Sequence, residues 1–298
     1  MIRRLRRTAA DYAYVLPALG VMALVIGYPI YDTIRLSFFS TPPNLAMSRR
    51  TFVGFDNYLR ILTSDEFLSA TRNTLIWTFF CTIVSFVLGF GAALVLNREF
   101  AGRALLRGVL LVPYVVSAVA AAYVWRWLYH SDFGAIGALA VVLGITDKPV
   151  VFLDDVNRVL PSLIVVNVWK EFPFAMVMIL AGLQTVPQQL LRAAQVDGAG
   201  PWHTFWHVTF SHLRSISTIT ALLLAVTSIN SFTIPWIMTG GGPAGASQIW
   251  ITAIYEMAFG RLRFGAAAAY SVILFLILMC LGYFYVRALV GGQRGRAA

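Results

Sequence analysis

Six strongly apolar, sparsely charged stretches run through the chain, near residues 12–39, 73–96, 106–128, 159–183, 214–238 and 266–288. Each is long enough to cross about 30 Å of hydrocarbon at ~1.5 Å of rise per residue. A segment inside a bilayer must satisfy its own backbone N–H and C=O groups, so windows of this length are expected to be helices. The expected fold is all-α: a polytopic membrane protein with six transmembrane helices. No internal repeat or low-complexity linker interrupts the chain, so residues 1–298 are read as one transmembrane domain. Composition argues against a soluble alternative. The chain is 59% hydrophobic and 12% charged, with a mean hydropathy of +0.74, whereas soluble domains carry about 25% charged residues.

Charge distribution orients the spans. Six crossings put both termini on one side. If the N-terminus is inside, the inner segments 1–11, 97–107, 184–214 and 287–298 carry twelve Lys/Arg against three Asp/Glu. The outer segments 40–72, 129–158 and 239–265 carry eight of each sign. Basic residues concentrate on the cytoplasmic side, so both termini are expected in the cytoplasm. This placement accounts for the net charge of +10 without a nucleic-acid partner. The start of the chain has the charged and apolar regions of a secretory signal. Its apolar run is too long and lacks a clear small-residue cleavage site, so an uncleaved first span is expected. Cys81 and Cys280 lie in apolar runs and suggest neither a disulfide framework nor a metal site.

Residues 190–210, LLRAAQVDGAGPWHTFWHVTF, break the apolar rhythm on the expected cytoplasmic side. Pro187 can open a helix, and Gln, Leu, Arg and Ala continue it. Asp197-Gly198 ends it, with Gly198 free to adopt the left-handed conformation. Pro201 can start a second helix lying toward the membrane surface. Ala193, Ala194, Gly198, Ala199 and Gly200 keep the bend free of bulk, so another protein can approach closely.

This segment resembles the EAA loop of ABC importer permeases, in which Glu-Ala-Ala is followed, after three intervening residues, by Gly and, after nine more, by Ile-x-Leu-Pro. Ala193, Ala194 and Gly198 match at that spacing. Arg192 replaces the glutamate, Val208 and Phe210 are apolar substitutes, and Ser211 stands at the proline position. GYPIYDTIRLSFFS (27–40), FVGFDNYLRIL (52–62), TRNTLIWT (71–78), VPYVVSAVAAAYVWRWLY (112–129) and DFGAI (132–136) resemble the sugar-type permeases of this superfamily. So do WKEFPFAMVMILAGLQTVPQQLLRAAQVDGA (169–199), MTGGGPAGAS (238–247) and IYEMAF (254–259). The likeness covers nearly the whole chain in order.

The resemblance implies a multi-pass protein of the prokaryotic inner membrane, surrounded by lipid and paired with a second related permease. It implies a dimer of cytoplasmic ATPase subunits docked on the loop 184–213, and an extracytoplasmic solute-binding protein on the other face. Coupling then falls to Arg192, Ala193, Ala194, Asp197, Gly198 and Ala199. The chain has no G-x-x-x-x-G-K-[ST] phosphate loop to hydrolyse ATP by that chemistry. ATP with Mg is then used by the partner, and this chain has no catalytic residues and no cofactor of its own.

Ionisable groups within spans are costly and need a reason. Trp169, Lys170 and Glu171 sit in span four, where they either line a path, contact the partner permease or lie near the wet outer interface. Asn230 and Ser231, with Trp236 above them, combine hydrogen-bonding groups with an aromatic face. Sugars and polyols need that combination, and helix–helix contacts use the same polar groups. Asp32 and Arg35 are spaced to pair on one face of span one. Arg126, between Trp125 and Trp127, reads as an interfacial anchor reaching for water. His203 and His207 are one helical turn apart, but two histidines without a third ligand make a poor metal site.

Two other functions remain open to sequence reasoning. An ion-gradient-driven transporter would use Asp32 or Glu171. A membrane-embedded metalloenzyme would use the histidines. Nothing in the sequence selects among a sugar, an oligosaccharide, a polyol and a glycerophospho compound as substrate.

Overall fold

The computed structural model describes residues 15–40, 50–148 and 150–294. The arginines of the first eleven residues, the start of the first window and Arg296 lie outside the described residues. In chain order the elements begin with α1 (Val15–Leu36), the strands β1 (Phe39–Ser40) and β2 (Thr51–Phe52), and α2 (Asp56–Leu62). They continue with α3 (Asp65–Leu96), α4 (Arg103–Val115), α5 (Ala118–Leu128), α6 (Ala135–Val142) and α7 (Val159–Gln184). Next come α8 (Gln188–Val196), α9 (Pro201–Thr204), a π-helical stretch Phe205–Phe210, and α10 (Ser211–Ile229). The last are α11 (Thr233–Thr239), α12 (Trp250–Tyr255) and α13 (Phe264–Arg294).

Five helices among the described residues are long and apolar enough to cross a membrane, and a bent helix pair makes a sixth crossing if it is one span. The window 106–128, expected as one rod, is α4 and α5 meeting at 94°. Pro113 lies inside α4 and removes a backbone donor one turn before the break. Val116 and Ser117 then adopt extended backbone and redirect the chain. Span five also differs from expectation. The second helix of the loop 184–213 is not a separate surface piece, because from Pro201 the helix runs continuously into α10. No glycine or proline occurs between Trp202 and Ile229 to stop it.

The described residues form two compact units. The first holds α1, the hairpin, α2 and the start of α13. Its strands pair antiparallel, with Phe39 opposite Phe52. Asn57 fastens α2 to this turn by donating to the Ser37 carbonyl at 2.8 Å and the Phe39 carbonyl at 3.0 Å. Gly265 allows α13 to pass close to the Phe39 carbonyl, where a side chain would collide. Asp32 and Arg35 form no ion pair among the described residues; the Arg35 guanidinium instead lies 5.9 Å from the centroid of the Phe39 ring.

The second unit runs from Asp65 to Ala253 and includes residues 277–294. In a bilayer there is no hydrophobic drive between helices, so close packing must hold them together. Gly89 provides it for α3 and α7. A β-carbon there would lie 2.5 Å from the Ala175 β-carbon and 2.6 Å from the Phe172 carbonyl oxygen. One apolar cluster, with Phe90, Leu96, Met176, Ile179 and Leu213, fills the end nearer the 184–213 segment. Another, with Trp77, Tyr129, Leu163, Ile234 and Met238, fills the opposite end. Burial pushes the Tyr129 phenol up to about 12.

Candidate functional site

The segment after α7 is built from local rules. Pro187 is extended and starts α8. At the helix end the Asp197 and Ala199 N–H groups each donate at 2.9 Å, to the carbonyls of Ala193 and Ala194. The Gly198 N–H donates to the Gln195 carbonyl at 3.1 Å. This closure puts Gly198 at φ +74°, the left-handed region expected for it. Pro201 then opens the next helix. Helix α8 buries none of its residues. Arg192, Ala193, Asp197 and Gly198 are exposed, while Ala194 and Ala199 are half-buried. Val196 and Trp202, 86% and 74% exposed, leave apolar surface on this uncovered element.

The element stands on a firm stem. Phe205 meets Phe90 of α3 edge-on at 6.0 Å, and Phe210 lies 6.1 Å from the same ring. Trp206 packs against both Trp202 and Phe210. The helix that follows α8 thus meets α3 through aromatic contacts and runs on into α10. His203 and His207 stack at 3.8 Å, and the His207 Nδ1 is 3.1 Å from the His203 carbonyl oxygen. Among the described residues no group of three or more His, Cys, Asp or Glu is placed to hold a metal ion.

The polar groups of the spans separate into different tasks. The Lys170 ammonium donates to the Val116 carbonyl at 2.9 Å and approaches the Tyr114 carbonyl at 3.5 Å. These carbonyls belong to the open end of α4, where the break leaves them without helical partners. Lys170 thus crosses from α7 to satisfy the break in span three. Trp169 meets Trp125 edge-on at 5.6 Å. Glu171 is half-buried beside them. Ser231 donates to the buried Asn167 at 3.3 Å, linking the end of α10 to α7. Asn230 is exposed and donates back to the Val226 carbonyl of its own helix at 2.9 Å.

Trp236 stacks on Phe232 at 5.6 Å and lines a cavity of about 480 Å³. Arg126 is not simply reaching for water. It donates to the Ile237 carbonyl at 3.0 Å and lines the same cavity. Asn167, Asp154 and the Val116 carbonyl were not singled out by sequence reasoning. Their only sequence signals are a lone amide in a span, a loop acid and a proline three residues before the break.

Residues 85–291 match the family described as the binding-protein-dependent transport system inner membrane component. The chain belongs to this family. It is 31% identical to a probable ABC transporter permease protein of Brucella suis over 93% of this chain and 95% of that one. It is 30% identical to the trehalose/maltose transport system permease protein MalF of Thermococcus litoralis, over 95% and 94% of the two chains. Against the sulfoquinovosyl glycerol transport system permease protein SmoG of Agrobacterium fabrum the identity is 30%, over 91% and 87%. The fold matches a chain in the crystal structure of a bacterial alginate ABC transporter in complex with an alginate pentasaccharide-bound periplasmic protein. That match has a TM-score of 0.80 at 19% identity and covers 95% and 94% of the chains. As an ABC permease subunit, the chain is a multi-pass transport component of the inner membrane and not an enzyme.

Proposed function

We propose that this permease imports a sugar, or a related polyol or glycerophospho compound, in an ATP-driven and binding-protein-dependent manner. It forms half of the translocation path with a second related permease. The ATPase dimer grips it through residues 184–213, with both termini on the same cytoplasmic side. The observation that carries this reading is α8: a short helix that buries none of its own residues yet sits on an aromatic stem fused to spans two and five. An uncovered helix on so firm a base suits a handle for a moving partner. The substrate class rests on the relatives, two of which are named for carbohydrate derivatives. Asn230, Ser231, Trp169, Lys170, Glu171 and Trp236 supply the polar and aromatic groups at the span-four and span-five faces of the path, Lys170 indirectly, by holding the broken span.

Reconstitution into proteoliposomes with the second permease, the ATPase and the binding protein tests this reading. Uptake of a labelled sugar is expected only with ATP on the ATPase side and with all components present. Uptake by this chain alone, or uptake driven by an ion gradient without the ATPase, would overturn it.

A further inference from the structure

The cavity beside Trp236 lies at the end of the second unit away from α8, and apart from Trp236 the permease reading gives its walls no task. Its walls are Arg126 at the end of α5, Asp154 in the α6–α7 connection, and the backbone from Trp236 through Thr239 to Gly240. The glycine side of the cavity is held rigidly. Asn73 of α3 donates to the Gly245 and Gln248 carbonyls at 3.2 and 3.1 Å. The Ser247 hydroxyl donates to the Gly242 carbonyl at 2.6 Å and lies 2.8 Å from the Thr239 hydroxyl. A side chain added at Gly240 would project into open space, so bare backbone faces outward there.

The groups left over have a definite chemistry. Arg126 uses one terminal nitrogen on the Ile237 carbonyl and retains further N–H donors. Asp154 is exposed and has no hydrogen-bond or ion-pair partner among the described residues. A fixed donor, a free acceptor and an indole face are what a ring bearing vicinal hydroxyls requires. The opposite charges of Arg126 and Asp154 balance, which favours a neutral ring over a phosphate or a uronate. The volume of about 480 Å³ falls within the ~300–1,000 Å³ of small-molecule sites. The Ser231–Asn167 pair does not line this cavity.

We infer that the cavity is an outer subsite holding one neutral pyranose unit, separate from the polar groups at Asn167 and Ser231. The inference rests on the carbohydrate reading above. The test uses the assembled transporter in nanodiscs, without binding protein or ATP, and saturation-transfer NMR with methyl α-D-glucopyranoside and D-glucuronate as probes. The glucoside should receive saturation, the glucuronate at least about threefold less, the order of one lost hydrogen bond. Asp154→Asn and Trp236→Leu should each cut the glucoside signal at least about threefold, while Arg60→Gln, exposed on α2 and absent from the cavity walls, leaves it unchanged. Asp154 sits in an exposed loop, so its variant tests the site without disturbing the fold. Equal signals in wild type and both cavity variants, with ATP-driven uptake intact, would overturn the subsite and leave the importer reading standing. Loss of binding-protein capture by Asp154→Asn with an unchanged glucoside signal would also overturn it, assigning the cavity to protein docking. Absence of ATP-driven uptake in the wild type would instead bring down the importer reading itself.

Discussion

The turn after α8 and the loop after α11 are both glycine-bearing connections, yet they are held in opposite ways. At Gly198 the chain closes on itself, with carbonyls of Ala193, Ala194 and Gln195 accepting from N–H groups three to five residues on. Side chains from other elements contribute little, and α8 buries nothing. The loop from Thr239 to Trp250 is fastened from a distance. Asn73 takes two of its carbonyls, the Trp250 N–H donates to the Thr74 hydroxyl at 2.9 Å, and the Trp250 indole donates to the Thr71 hydroxyl at 2.9 Å. The contrast teaches a division of mechanical labour. A self-closed turn keeps its shape while its surface stays free for a partner. A loop tied to α3 takes its position from α3.

The sharpest way to break this comparison is Gly198→Val. A β-branched residue at φ +74° carries backbone strain of about 1–3 kcal/mol, and no neighbouring atom lies within 4 Å of the new β-carbon. The turn should lose its shape while the bundle stays intact. ATP-driven uptake in proteoliposomes is expected to fall at least about tenfold, with unchanged membrane yield and melting temperature. Gly198→Asn, which tolerates the left-handed region, should keep most of the activity. Full transport by the valine variant would show that the turn does not carry force.

Asn73→Leu attacks the other side of the comparison. It removes both part-buried bonds that Asn73 makes to the loop, at about 0.5–1.5 kcal/mol each. Here the melting temperature should drop and amide exchange around 245–250 should quicken. Binding of the ATPase should be untouched. If both variants changed stability equally, the two connections would not differ as described.

These two regions also differ in how far the sequence reveals them. The α8 turn was legible because everything that shapes it is local: Pro187, good helix formers, a glycine and Pro201. The six windows were legible because length and hydropathy alone specify spanning helices. The pinned loop was not, since Asn73 and its acceptors stand 172 and 175 residues apart. The break in span three was hidden for a related reason. A broken membrane helix is tolerated when a neighbour satisfies the backbone groups the break frees, and that neighbour, Lys170, lies 54 residues beyond Val116. Lys170 read as a path residue because its acceptors are backbone atoms, which no residue type announces.

Lys170→Met should have a smaller effect than either variant above. It removes a charge-assisted bond worth roughly 1.5–3 kcal/mol, but it also removes an ammonium that is costly to hold within a span. The two terms largely offset each other in stability. What remains is the freed end of α4, so amide exchange near Ser117–Ala121 should rise and uptake should fall a few-fold. Lys170→Arg keeps donors within reach and should restore slow exchange. A methionine variant with wild-type exchange would show that the break holds itself.

The smallest effect on the molecule itself is expected at Arg192, where the family motif has glutamate. Arg192 is exposed on a helix that buries nothing, so Arg192→Glu should leave stability within about 0.5 kcal/mol. Its consequence lies across the interface. If the ATPase surface facing α8 is matched to a cation, reversing the charge puts like charges together and weakens docking. The loss should be several-fold at low salt and shrink as ionic strength rises, because exposed charges beyond about 10 Å are screened near 0.1 M. Titrating the purified ATPase against the permease in nanodiscs at two salt concentrations reads both quantities. Tighter docking by the glutamate variant would mean that the partner is still shaped for glutamate. In that case Arg192 weakens the grip, and the small-residue turn around Gly198 carries it alone.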